Sequence, residues 1–235
     1  MIHELLEGTT SKSEALALQT KYSKIRPKLE KTRQILTDPN SITFIAGVDI
    51  SYPAVKNPEW GICCAVLWDC KKNERAAVSY SQCDILFPYT PGFLGFREVP
   101  LMAEAILALD PKPDVILTDG HGVIHPRKFG EATHLGVALD ISSIGVAKSE
   151  FIGHSNWREL ERVKGNKTPV LLDGQKIGYA VCLRDNSKPA FVSKGFLVSL
   201  DFVVDLALHI SFNHRQPEPL YLADHLSRQK LQKVK

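Results

Sequence analysis

The sequence predicts an α/β fold, a mixed β-sheet covered by helices. Three observations carry this. Three strand-like apolar runs follow one another over residues 42–86, joined by short turns, as in an antiparallel meander. Helical and short apolar patterns then alternate over 97–148, as in parallel strands joined by crossover helices. Hydrophobic residues are 44% and charged residues 23% of the 235, a globular balance that excludes disordered, collagen-like and coiled-coil chains. That length can bury a sizeable core, so 1–235 reads as one domain.

Residues 12–37 read as a basic helix, with Ala15, Leu18, Tyr22, Ile25 and Leu29 at three- and four-residue spacing and Pro27 as a kink. Asp38-Pro39-Asn40-Ser41 is a turn. Strands follow over 42–52, 61–69 and 74–86. Residues 88–96 hold too many prolines, glycines and aromatics for regular structure. A helix is predicted over 97–109 and a strand over 115–119, running into Gly120-His121-Gly122. Helix 133–139 and strand 144–148 complete the alternation. Residues 151–167 read as a polar, basic loop. A hairpin over 170–172 and 177–183 turns at Asp173-Gly174-Gln175, and Phe191 and Val192 begin a short extended piece. Helix 200–211 carries Phe202, Val203, Leu206, Ala207 and Ile210 on one face. Pro217-Glu218-Pro219 breaks it before a final helix over 220–230.

Composition narrows the function classes. Five cysteines (63, 64, 70, 83 and 182) are an odd number without a CxxC pair, which suits buried thiols in a reducing compartment better than disulfides or zinc. No apolar run is long enough to span a bilayer, and the first residues lack a basic stretch followed by an apolar one. The expectation is a cytoplasmic protein. No GxxxxGK[ST] segment is present, so a P-loop is excluded. Net charge is only +3, but residues 12–33 hold seven basic side chains against Glu14 and Glu30, and Arg228, Lys230, Lys233 and Lys235 lie in the last eight residues. Such segments either meet phosphate or are solvated helix faces.

Several residues are costly where they stand. Asp49 ends an apolar strand and Asp119 ends another. If those strands are neighbours, two carboxylates meet at one sheet edge, and a divalent cation is one remedy for their repulsion. The alternative is that each caps a turn. Glu98 opens a predicted helix, where an acid is also ordinary dipole chemistry. Asp224 stands four residues before Arg228, the spacing of a surface ion pair. Lys148 ends a short strand, either snorkelling or supplying charge to a reaction. Pro88-Tyr89-Thr90-Pro91-Gly92 is a stiff loop bearing an aromatic ring, either packed under a turn or able to wedge between bases. His121 and His125 sit among Gly120, Gly122 and Pro126, which argues against a helical zinc pair and for polar contacts in a loop that a ligand approaches closely.

Six segments together resemble the endonuclease V family: Ile45-Ala-Gly-Val-Asp-Ile-Ser-Tyr52, Pro88-Tyr-Thr-Pro-Gly-Phe-Leu-Gly-Phe-Arg-Glu98, Asp119-Gly-His-Gly-Val-Ile-His-Pro-Arg127, His134-Leu-Gly-Val137, Ile144-Gly-Val-Ala-Lys148 and Pro217-Glu-Pro-Leu-Tyr-Leu-Ala-Asp224. The resemblance implies a ribonuclease H-like fold, whose sheet begins with three antiparallel strands and continues with parallel ones. It implies a metal-dependent endonuclease that recognises inosine in DNA during repair. Such an enzyme hydrolyses the second phosphodiester 3′ to the lesion and leaves 3′-hydroxyl and 5′-phosphate ends. By position, Asp49, Glu98 and Asp119 would be the metal-binding carboxylates, Asp224 a fourth acidic position and Lys148 the active-site lysine. Tyr89, framed by Pro88 and Pro91, would be the wedge, and Gly92, Leu94, Gly120 and His125 would line the base pocket. The implied cofactor is Mg²⁺, with Mn²⁺ able to substitute. The implied partner is inosine-containing DNA, the alternative being inosine-containing RNA or single-stranded nucleic acid, with no membrane and no obligate protein partner. Thr90 and Phe196 depart from the family's usual branched apolar residue and histidine.

Overall fold

The structure is a computed structural model and describes residues 1–55 and 60–234. Lys235, counted above among the basic C-terminal residues, lies outside them. Eight strands form one sheet, in chain order β1 (Phe44–Ser51), β2 (Trp60–Asp69), β3 (Glu74–Asp84), β4 (Val115–Thr118), β5 (Ser142–Ala147), β6 (Lys167–Leu172), β7 (Gln175–Val181) and β8 (Ala190–Phe196). Their spatial order is β3-β2-β1-β4-β5-β8-β7-β6. β1 to β3 form the expected antiparallel meander, and β4 and β5 run parallel to β1. The sheet does not stay parallel: β8 pairs antiparallel with β5, β7 with β8 and β6 with β7, this last pair joined by the two-residue Asp173-Gly174 turn, which can only make a hairpin.

Five helices cover the sheet: α1 (Lys12–Lys31), α2 (Leu94–Leu107), α3 (Glu131–Leu139), α4 (Leu200–His209) and α5 (Glu218–Lys233). Strand alternation sorts the two faces. On β1, Ala46 and Val48 pack with α2 and α3, while Ile45 packs with α4 and Leu220 of α5. On β4, Ile116 joins the first layer and Val115 and Leu117 the second. Gly47 lies on the α5 side, where a Cβ would fall 2.3 Å from the Pro219 backbone. Glycine there lets the start of α5 rest directly on the strand.

Several boundaries differ from expectation, and for three helices the cause is visible. The basic helix ends at Lys31, not 37, because Leu36 leaves it to bridge Val198, its N–H donating to Leu197 O at 2.9 Å. Its buried stripe is Ala15, Gln19, Tyr22 and Arg26, two of them polar. Helix α2 starts at Leu94, inside the segment read as irregular, because Gly92 (φ +80°) closes the loop and Phe93 and Phe96 pack on Phe87. Glu98 therefore lies in the second turn, beyond the first-turn dipole. The last helix spans Glu218–Lys233, longer than 220–230, since Pro217 and Pro219 begin it rather than block it. No helix among the described residues is long and apolar enough to cross a membrane, and all five cysteines are free.

Candidate active site

β1 and β4 are adjacent and parallel, with Val48 opposite Thr118. Asp49 and Asp119 therefore leave the same sheet edge, and each continues the face packed against α4 and α5. Burial, then the charges of Asp119 and Asp224, hold the Asp49 carboxyl well above the usual carboxylate range. Burial also raises Asp119, opposed by the Lys148 ammonium, whose Nζ donates to Asp119 Oδ2. Asp119 Oδ1 is buried without a partner. Glu98 arrives from α2 on the other face, accepting from Tyr52 Oη at 2.6 Å, and burial pushes it up to about 7. Asp224 comes from α5 and pairs with Arg228 Nη2 at 2.6 Å, the spacing anticipated for an ion pair. Burial pulls Lys148 down, but Asp119 outweighs it and raises the ammonium above its usual value.

The four acids thus converge electrostatically, yet three of them spend an oxygen on an internal donor. Among the described residues no group of three or more His, Cys, Asp or Glu side chains is arranged to hold a metal ion. The donor set nonetheless fits a hard divalent cation. All its ligand atoms are carboxylate oxygens, one of them is orphaned, and the acids raise one another's proton affinity. Lys148, its side chain 45% exposed, now supplies Asp119 with the positive charge that such a cation would bring.

Beside the acids lies a cavity of about 310 Å³, at the small end of ligand pockets, about 300–1,000 Å³. Tyr89, Pro91, Gly92, Leu94, Gly120 and His125 line it, as do Asp119 and Lys148. Pro88 does not; it stands outside as the loop's stiff end. Tyr89 is 70% exposed, so the alternative of a tyrosine packed under a turn fails. The loop's rigidity comes from Gly92 O, which accepts from Gln19 Nε2 at 3.0 Å and Arg127 Nη2 at 2.7 Å and lies 3.0 Å from His125 Nε2. His125 Nδ1 accepts from the Arg127 N–H, so Nε2 carries the proton to Gly92. Burial pushes this histidine down to about 4, matching that neutral tautomer. His125 is a strut of the wall more than a free donor.

The sequence reading missed Gln19, Tyr52, Glu131 and Phe151; His121, read as a polar contact of a ligand-approached loop, lines the cavity. Tyr52 ends a quoted segment, and its hydroxyl could have been noticed there. Gln19 and Glu131 carry no local signal, since only the fold brings them to the site. Glu131 is 4% exposed, with neither carboxylate oxygen hydrogen-bonded. Burial, then the charges of Glu98 and Asp119, raise it well above the usual range. Its carboxyl crowds Gly120, where a Cβ would sit 2.8 Å away. His121 stacks on Phe151 at 5.6 Å.

The endonuclease V family model matches residues 24–225. The chain belongs to the endonuclease V family. Among curated endonuclease V relatives, that of Methanothrix thermoacetophila is 39% identical over 79% of this chain and 80% of its own. That of Bacillus thuringiensis subsp. konkukian is 39% identical over 88% of both chains. The Bacillus subtilis endonuclease V structure superposes with a TM-score of 0.86 at 31% identity, covering 97% of this chain and 96% of that one. Ciona intestinalis endonuclease V, solved with a 23mer DNA containing an inosine followed by a ribo-adenosine, gives 0.80 at 25% identity, covering 96% and 100%. The fold is therefore the ribonuclease H-like fold of endonuclease V, and the chain is a nuclease.

Proposed function

We propose that this member of the endonuclease V family is a metal-dependent enzyme that recognises inosine in DNA and hydrolyses the second phosphodiester 3′ to it, leaving 3′-hydroxyl and 5′-phosphate ends. One observation carries the reading: the cavity and the carboxylate cluster share Asp119 and Lys148. A base held in the cavity brings its own strand's phosphates beside the acids. The Ciona relative bound to inosine-containing DNA supports the substrate class. Residues 1–235 act as one domain, and the free thiols suit a cytoplasmic setting.

Tyr89 fills the gap left by the extruded base, with Pro88 and Pro91 fixing its angle. Gly92, Leu94, Gly120 and His125 enclose the base, and backbone groups of the two glycine-bearing loops read the carbonyl oxygen and N1–H that distinguish hypoxanthine from adenine. Asp49, Glu98 and Asp119 would hold Mg²⁺, or Mn²⁺ in its place, with Asp224 as a fourth carboxylate. When bound, the ion supplies Lewis acidity, making water nucleophilic and offsetting phosphate charge. The Tyr52 hydroxyl orients Glu98. Lys148 keeps Asp119 compensated before substrate arrives and then offers its charge to the phosphate.

The test is parallel cleavage of inosine-containing DNA, inosine-containing RNA and undamaged DNA, with Mg²⁺ and with chelator. Cleavage confined to inosine DNA with Mg²⁺, one nucleotide beyond the lesion's own 3′ phosphate, is the expected result. Efficient cutting of undamaged DNA, or undiminished activity in chelator, would overturn the reading. Preference for inosine RNA would reassign the substrate.

A further inference from the structure

A second cavity, of about 230 Å³, opens between α1, the loop after β4 and the β7–β8 edge. Arg26, Lys128, Lys176 and Lys194 line it, together with Leu200, the first residue of α4. Two acids bear on these four cations. Glu30 pairs with Arg26 at 3.0 Å, and Lys176 Nζ donates to Tyr179 Oη at 2.7 Å, with Asp201 a smaller influence through space. Lys128 and Lys194 have no ion-pair or hydrogen-bond partner for their ammonium groups among the described residues. The positive end of α4 adds to the excess.

Part of the basic charge on the terminal segments is already paired, although Lys24, Lys28 and Lys31 of α1 have no ion pair among the described residues. On α1, Lys21 pairs with Glu4, Arg26 with Glu30 and Arg33, just beyond its end, with Asp140. Near the C-terminus Arg228 pairs with Asp224 and Lys230 lies over the Tyr80 ring. What sets the cavity apart is that four cations line one concavity, two of them, Lys128 and Lys194, without a partner among the described residues. It is also well placed. Gln19 lines the first cavity and Arg26 the second, seven residues apart on the buried stripe of α1, or about 10 Å along the axis at about 1.5 Å per residue. A nucleic-acid strand presents a phosphate about every 3.4 Å of helix axis, so about three nucleotides span that distance.

We propose that the Arg26–Lys128–Lys176–Lys194 cavity binds a backbone phosphate of the nucleic acid whose base enters the first cavity. The identity of the ligand rests on the function proposed above; the anion site itself does not. The test measures duplex affinity against salt for wild type, Lys128→Ala, the Lys128→Ala/Lys194→Ala pair, and the corresponding arginine pair. Undamaged and inosine duplexes are both used, and melting temperature is recorded for each variant. The alanine pair is expected to weaken both duplexes by the same factor and to flatten the slope of log affinity against log salt by about 1. The arginine pair should restore the slope. An unchanged slope in a folded alanine variant overturns the proposal. Inorganic phosphate is titrated in parallel by thermal shift; stabilisation lost in the alanine pair, with an unchanged duplex slope, would mean that the cavity takes free phosphate and the backbone assignment is wrong. If inosine confers no preference but the slope still flattens, the proposed function falls and the phosphate site stands.

Discussion

At the scale of single residues, the site is defined by groups that cost stability. Asp49 and Asp119 face like charges at a buried edge, so removing either relieves repulsion while removing a metal ligand. Asp49→Ala and Asp119→Ala are expected to abolish Mg²⁺-supported cleavage, to keep binding of inosine DNA, and to melt no lower than wild type in chelator. Gel-shift, cleavage and thermal melts check this, and wild-type cutting by either variant would refute the metal assignment. Tyr89→Ala should lose about 5- to 150-fold in affinity for inosine duplex, since base–aromatic stacking contributes roughly 1–3 kcal/mol. With a ring 70% exposed, its melting temperature should not move. Equal loss on undamaged duplex would remove the wedge role. Glu131→Gln keeps the shape of a buried carboxyl that burial and the neighbouring acids already hold toward its neutral form, and removes its ability to ionise. It should melt at or above wild type at pH 7.5, by an amount on the order of 1 kcal/mol. A clear loss in differential scanning fluorimetry would show that the carboxyl itself, and not its shape alone, holds the structure there.

At the scale of elements, the site depends on how closely α5 approaches β1. Gly47 permits that approach, and the atoms a Cβ would strike are the backbone of Pro219 and Leu220. Backbone cannot swing aside as a side chain can. Gly47→Ala is therefore expected to cost about 1–3 kcal/mol through overpacking, and to displace Asp224 with the helix. A lowered melting temperature together with reduced cleavage checks this; a wild-type melt would mean that α5 shifts freely. The wedge loop is held in a comparable way from outside its own segment. Gln19 of α1 and Arg127 both donate to Gly92 O, so α1 is a brace for the cavity as well as a cover for the core.

At the scale of the whole molecule, buried ionisable groups set the pH response, and they pull in opposite directions. Glu98 titrates near 7 when folded against a usual 4.5. Its contribution is fully present below about 4.5 and is lost as pH rises through about 7, by up to about 1.4 kcal/mol per pH unit. His121, His125 and His134, pushed down from 6.5 to about 4 by burial, contribute above about 6.5 and lose that contribution as pH falls toward 4. Comparing wild type with Glu98→Gln in chelator cancels the histidines. The wild-type advantage should shrink between pH 5 and 7.5, and Mg²⁺ at pH 7.5 should raise the wild-type melting temperature more than the variant's. A difference that stays flat with pH would contradict the raised acid.

Much of this architecture was legible in the chain itself. Period-two and helical patterns located the meander, the alternating elements and the 173–174 hairpin, because those signals depend on neighbours within one element. Asp49 and Asp119 stood out because each ends an apolar strand, and their convergence followed once β1 and β4 proved adjacent. Tertiary structure alone decided the rest. The antiparallel return of β8, the early end of α1 at the Leu36–Val198 bridge and the start of α2 at Leu94 all follow from contacts distant in sequence. So do the bracing of Gly92 by Gln19, 73 residues away, and the packing of Glu131 beneath Gly120. A local pattern reports which face of an element is apolar. It carries no information about which polar side chains meet across elements, and here those meetings build the site.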